Sequence, residues 1–183
     1  MKKQMKPIAL ASLALALLIS STGAAGQEAD VRLNKAIDLL ENDEPAFGLL
    51  SFDYSLNNAR SLSRSGLDFI IIDMEHAPFD VERIREFLLG MTDKRAILEN
   101  GSLQPNVVPF VRIPASGGED VLSQVKQVLD VGAFGVMFPS VNNAAEAEMA
   151  IRASRYPQLN GADDYEPVGL RGRNPSNAVW YWG

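Results

Sequence analysis

The chain has 183 residues, a formal net charge of -6 and no cysteine. The acidic balance works against nucleic-acid binding, and the sequence holds no clustered basic face or aromatic stacking platform to offset it. Without cysteine, disulfide chemistry and thiolate catalysis are both excluded.

The first segment reads as a targeting signal. Met1 to Lys6 is basic, Ile8 to Ile19 is an apolar run of twelve residues, and Gly23-Ala24-Ala25 supplies small residues for cleavage. That is the layout of a secretory signal peptide over residues 1–25, with an apolar run too short to span a bilayer comfortably. An uncleaved anchor is the alternative. No later segment is apolar enough to span, so the expectation is an exported protein, periplasmic or secreted, with no stable membrane span after cleavage. Removing three lysines and no acids takes the charge from -6 to -9.

Residues 26–183 then form one domain. Val31 to Leu40 is amphipathic and predicts a helix, which Glu41 to Pro45 ends because a proline disfavours helix at the residue before it. Phe47 to Phe52 is a short first strand. Leu56, Ala59 and Leu62 keep helical spacing, with Gly66 placed as a C-cap. The apolar run Phe69 to Ile72 leads into Asp73 and predicts a second strand, buried on both faces as in parallel sheets. Asp80 caps a helix whose apolar face is Val81, Ile84, Phe87, Leu88 and Met91. Thr92 to Asn106 is polar, with turn signals, and reads as an irregular surface insertion.

Val107 to Pro114 is the third strand. Gly117-Gly118 opens a loop, and Asp120 starts a helix carrying Val121, Leu122, Val125, Val128 and Leu129 on one face, stopped by Gly132. Gly135 to Pro139 is the fourth strand. Asn143 caps a last helix, with Glu146 at the capping-box position and Ala147, Ala150 and Ile151 along it. Strands alternating with helices at this rhythm predict βαβ units and a parallel α/β sheet. Four such units are about half of an eight-fold barrel, which needs about 250 residues. The chain closes on the aromatic-rich Val179-Trp180-Tyr181-Trp182-Gly183, which predicts a truncated barrel. A small doubly wound domain competes, although no glycine-rich phosphate loop follows the first strand.

In a parallel sheet, the C-terminal strand ends share one face. That face gathers Asp73, Glu75 and His76 from the second strand, Arg112 from the third and Ser140 from the fourth. His76 is the only histidine in the chain. A carboxylate, an imidazole and a guanidinium together suit proton abstraction beside a bound carboxylate. A solvated histidine and a surface arginine are the alternatives, and residue types alone leave the choice open. Asp73 and Glu75 alternate along the chain, so two acids on one side need a cation or a proton between them.

At these residues the chain resembles the HpcH/HpaI aldolase/citrate lyase family. The matching pieces run in the family's order: Asn34 to Ser51, Gly66 to Pro78 (GLDFIIIDMEHAP), Val111-Arg112, Val125 to Gly135 (VKQVLDVGAFG), Pro139 to Ala147, Arg155-Tyr156-Pro157 and Gly169 to Gly172. The resemblance implies a (β/α)8 TIM barrel, of which about the first four units are present. It also implies a homo-oligomer, a hexamer of domain-swapped dimers. The implied activity is a carbon–carbon lyase acting next to pyruvate in a 2-oxo acid, with an aldehyde as the other partner. A divalent metal, Mg2+, Mn2+ or Co2+, would stabilise the enolate. By matched position, His76 is the acid/base oriented by Asp73, and Arg112 stabilises the developing enolate charge. Asp130 matches the acid that supports the histidine as a base, and Glu75 a glutamate near the metal's waters. The resemblance places the metal-ligating glutamate and aspartate beyond Gly183, so none of the metal ligands lies within this chain. The insertion Thr92 to Asn106 and the residues Gly161 to Val168 depart from the family pattern. The alternative is an exported, noncatalytic, barrel-derived protein that binds a small carboxylic acid.

Overall fold

The computed structural model describes residues 32–115 and 121–172. The signal-peptide reading, the Gly117-Gly118 loop, the Asp120 helix start and the C-terminal aromatics lie outside the described residues. The elements run α1 (Lys35–Glu41), β1 (Gly48–Ser51), α2 (Leu56–Leu62), β2 (Phe69–Asp73), α3 (Val81–Met91), α4 (Lys94–Asn100), β3 (Val108–Arg112), α5 (Val121–Asp130), β4 (Gly135–Met137) and α6 (Ala144–Ser154). The four strands lie in sequential order β1-β2-β3-β4, and every pairing is parallel. Four consecutive βα units of a TIM-barrel-type α/β fold result, as the strand–helix rhythm predicts.

Side chains at the starts of the helices fix where they begin. Asn34 accepts from the amides of Ala36 and Ile37, Asp80 from Arg83, and Asn143 from Glu146, each satisfying donors that a helix N-terminus leaves unpaired. Glu146 reaches back to the amide of Asn142 at 2.7 Å, closing the predicted capping box one residue earlier than its usual partner.

The two faces of the sheet have different tasks. Ile70, Ile72 and Met74 point with Val111 and Ile113 toward the helices, where they join Ala59, Ile84, Phe87, Val125 and Val128 in one core. Burial of each large member contributes about 1.5–3 kcal/mol. On the opposite face, Phe69 and Ile71 are half-buried, so burial on both faces of β2 is complete only on the helix side. There Phe69 packs beside Phe110, with ring centroids 5.6 Å apart. Each ring lies over a glycine of the neighbouring edge strand. A Cβ at Gly135 would come within 2.7 Å of the Phe110 ring, and one at Gly48 would run into Phe69.

Two expectations need correction. The helix over Leu56 to Leu62 ends at Ser63, not at Gly66. Ser63 and Ser65 turn their hydroxyls onto the carbonyls of Arg60 and Leu62, so the helix end is satisfied without a left-handed glycine. The stretch 92–106 is not irregular, because it contains α4, capped by Asp93 and closed by Gly101 at φ 60°. Asp93 also holds Arg64 at 2.7 Å, which ties the insertion to the residues just past α2.

Past α6, Gly169 is buried, and its amide donates to Gln158 Oε1 at 3.1 Å. A Cβ there would run into the carbonyl oxygens of Arg155 and Tyr156, which are backbone and cannot turn aside. Gly169→Ala should therefore cost about 1–3 kcal/mol, read as a lowered denaturation midpoint at unchanged m-value. An unchanged midpoint would show that this segment is not packed as described.

Candidate active site

Register places the site. Asp73 ends β2 and Arg112 ends β3, and the two are direct partners across the parallel ladder. Their side chains emerge together at the C-terminal end of the sheet, where Arg112 Nε donates to Asp73 Oδ1 at 2.7 Å. The ladder runs one residue further, with the Met74 amide donating to the Arg112 carbonyl at 2.8 Å. That bond turns Met74 into the core and returns Glu75 to the side of Asp73. Arg112 Nε lies 3.2 Å from Glu75 Oε2, so one guanidinium separates the two acids. The cation that two neighbouring carboxylates require is supplied by the protein itself.

His76 completes the group. Its Nδ1 lies 3.0 Å from Asp73 Oδ2 and 2.9 Å from Arg112 Nη2. One nitrogen cannot donate to the carboxylate and accept from the guanidinium at once. The Asp73 carboxyl is held well below the usual carboxylate range, chiefly by the Arg112 hydrogen bond and further by the Glu75 amide and His76, against the opposing effect of burial. Asp73 is thus a permanent acceptor, which favours the tautomer carrying its proton on Nδ1 and leaves the Nε2 lone pair free. The Arg112 pKa is raised, mainly by the same bond to Asp73.

Exposure separates the roles. The Asp73 side chain is fully buried and the His76 side chain is 62% exposed. The acid is a fixed base to the cluster, and the imidazole is the part that meets solvent or substrate. Tyr54, three residues past β1, adds a support that the sequence reading missed. Its hydroxyl donates to the Asp73 backbone carbonyl, so the strand end is pinned from the neighbouring unit. Burial and the Asp73 charge raise the Tyr54 pKa, so the phenol keeps its proton and remains a donor. A signal was present in the sequence, since a residue that follows β1 belongs to the same end of a parallel sheet as Asp73.

Asp130 is not brought to His76. It ends α5, which runs back along the sheet, so it lies beside the start of β4. There its carboxylate receives Lys126 at 2.7 Å and Arg171 at 2.9 Å. An acid at a helix C-terminus opposes the dipole, and these two cations offset it. Arg171 also lies 4.4 Å over the Tyr156 ring. Ser140 is exposed in a left-handed turn at φ 56°, with its carbonyl turned to Asn142, and it does not join the cluster.

Asp73, Glu75 and His76 each offer a ligand atom within 4.8 Å of the others, a hard-donor set of the kind divalent cations use. The group does not fit a directly bound ion, however, because Arg112 already fills the space among all three.

Parallel βα units with charged groups at the strand C-termini define a TIM-barrel-type domain whose polar site lies where that fold places its chemistry. A family model for HpcH/HpaI aldolase/citrate lyase matches residues 53–165, and the chain belongs to that family. It is 37% identical over 135 residues to a 4-hydroxy-2-oxo-heptane-1,7-dioate aldolase of Klebsiella pneumoniae, covering 74% of this chain and 42% of that protein. A hydroxypyruvate/pyruvate aldolase of Paraburkholderia phytofirmans is 36% identical over 124 residues, covering 68% of this chain and 43% of that protein. Among solved structures, a family member from Burkholderia cenocepacia superposes with a TM-score of 0.61 at 32% identity, over 77% of this chain and 48% of that one. The chain therefore spans about half the length of the relatives it matches.

Proposed function

We propose that the protein carrying this chain is a carbon–carbon lyase that cleaves or forms the bond next to pyruvate in a 4-hydroxy-2-oxo acid. The observation that supports this most is the convergence of Asp73, Glu75 and His76 on the single guanidinium of Arg112, with the imidazole facing outward. The aldolase names of the relatives favour the same class.

In the cleavage direction, His76 Nε2 accepts the proton of the substrate's 4-hydroxyl. The C3–C4 bond breaks, C4 becomes the aldehyde carbonyl, and the bonding pair passes into the enolate of pyruvate. His76 then returns the proton to C3, which gives pyruvate and leaves the imidazole as it began. Arg112 meets the carboxylate and enolate oxygens with N–H donors where negative charge develops. Asp73 holds the ring through Nδ1 during both transfers. The divalent ion that the family resemblance implies would add Lewis-acid stabilisation to that enolate, held by ligands outside the cluster. We place the protein outside the cytoplasm, on the signal-peptide pattern of residues 1–25.

The test is pyruvate release from a 4-hydroxy-2-oxo acid by the protein expressed from its complete reading frame, followed with and without added Mg2+, Mn2+ or Co2+. Equimolar pyruvate and aldehyde are expected. Binding of the substrate without release of either product would contradict the proposal and favour a binding protein.

A further inference from the structure

Beneath α4 lies a cavity for which the cluster around Arg112 has no use. Its volume is about 270 Å3, and its mainly apolar lining includes Leu33, Leu88, Met91, Ile97, Val107 and Phe134. Val107 precedes β3 and Arg112 ends it, so the cavity and the cluster lie at opposite ends of the sheet. The helix stands over this space instead of packing into the core. None of its residues is fully buried, while Ala96 and Ile97 line the cavity. The insertion is tied down on both sides of the helix, by Asp93 to Arg64 at 2.7 Å and by the Asn106 carbonyl to Lys35 at 3.3 Å. An apolar space of about 150 Å3 already accommodates a benzene ring, so this one has room for a larger apolar group.

A second pocket, of about 330 Å3, shares Ser63, Thr92 and Asp93 with the first. Its lining sets four cations, Arg60, Arg64, Lys94 and Arg95, against the single carboxylate of Asp93. This positive cleft stands on a chain whose net charge is -6, and a cleft lined by one sign of charge draws in the other. Arg64 and Arg95 are engaged with Asp93 and Glu99. Arg60 and Lys94 are exposed and form no ion pair or side-chain hydrogen bond among the described residues. The hydroxyls of the common wall are spent locally, Ser63 on the Arg60 carbonyl and Thr92 on the Leu88 carbonyl. An apolar cavity and a cationic pocket with one wall in common match the two parts of an amphiphilic anion. We propose that the insertion 92–106 builds a second binding site for such an anion, with its carboxylate or phosphate head received by Arg60 and Lys94 and its alkyl or aryl tail beneath α4.

The experiment measures calorimetric binding of butyl, hexyl and octyl phosphate to the protein from the complete reading frame, with hexanol and inorganic phosphate alongside. Wild-type affinity should rise about fourfold per added methylene until the cavity is full. Hexyl phosphate should bind about fivefold tighter than hexanol at low salt, a margin that shrinks as salt is added. Arg60→Gln combined with Lys94→Gln should remove most of that margin and keep the dependence on chain length. Both side chains are exposed, so the denaturation midpoint without ligand should not move. Ala96→Phe, which fills the cavity, should abolish the dependence on chain length, and Arg112→Ala should bind hexyl phosphate as wild type does. Inorganic phosphate binding as tightly as hexyl phosphate, or hexanol doing so, would overturn the inference, as would the binding of none of these compounds. So would unchanged binding in the double variant or in Ala96→Phe, and loss of binding in Arg112→Ala would place the anion at the other site.

Discussion

Arg112→Ala should lower the exchange of pyruvate methyl protons by about a hundredfold to a thousandfold, the size of effect seen when a donor to a developing oxyanion is removed. The reason is geometric. One guanidinium touches Asp73 at 2.7 Å, Glu75 at 3.2 Å and His76 at 2.9 Å, so its loss removes the substrate's anion partner and the spacer between two acids together. Asp73 and Glu75 then face each other without a cation, and the two acids repel. Arg112→Lys is the informative companion. A lysine can neutralise the acids but lacks the planar fork that aims parallel N–H donors in fixed directions, so folding should be retained and most of the exchange lost. Full activity in the lysine variant would mean that charge alone is needed there.

Asp73→Asn should be the second large effect. The substitution keeps the shape of a fully buried side chain but removes the acceptor that holds the imidazole. An amide can offer its NH2 group to Nδ1, which reverses the tautomer and puts the proton on the nitrogen that must act as base. Exchange should fall by about a hundredfold to ten-thousandfold. Stability should fall by about 2 kcal/mol, less than for a fully enclosed pair because Arg112 and Glu75 still touch solvent.

The pH dependence of stability gives an independent reading of the same residue. Asp73 is held below the usual carboxylate range in the folded protein, so between its folded and unfolded pKa values the unfolded chain binds more protons. Its contribution is fully present above about pH 4, the ordinary aspartate value, and is lost as the pH falls below it. Denaturation midpoints should therefore drop less steeply below pH 4 in Asp73→Asn than in wild type. Parallel profiles would show that Asp73 is not the group so held.

Much of the fold was legible because local signals agreed with one another. An unbroken apolar run defines β2, and a capping aspartate ahead of a 3.6-residue apolar pattern defines α3, so the limits of both were readable. Seven-residue α4 escaped because it buries no residue fully, which leaves no apolar stripe to mark it. The end of α2 was misplaced because two serine hydroxyls did what a glycine would usually do.

At the site, the participants were legible and their connections were not. Asp73, Glu75, His76 and Arg112 stood at predicted strand ends, but the pairing of Asp73 with Arg112 depends on register, which a buried parallel strand does not announce in its sequence. Tyr54 belongs to a neighbouring loop, so only the folded sheet brings its hydroxyl onto the Asp73 carbonyl. Asp130 shows the opposite case. Its motif resembles the family's acid, yet in this chain its carboxylate is taken by Lys126 and Arg171.

The central claim is that His76, set by Asp73 and faced by Arg112, moves a proton at the carbon next to the carbonyl of pyruvate. It is tested most directly by following the methyl signal of pyruvate in D2O by proton NMR, with the protein from its complete reading frame and a divalent ion present. Wild type should exchange the methyl protons for deuterium well above the protein-free rate, and His76→Gln should exchange near that background while retaining the wild-type fold. Exchange at the wild-type rate in His76→Gln would contradict the account.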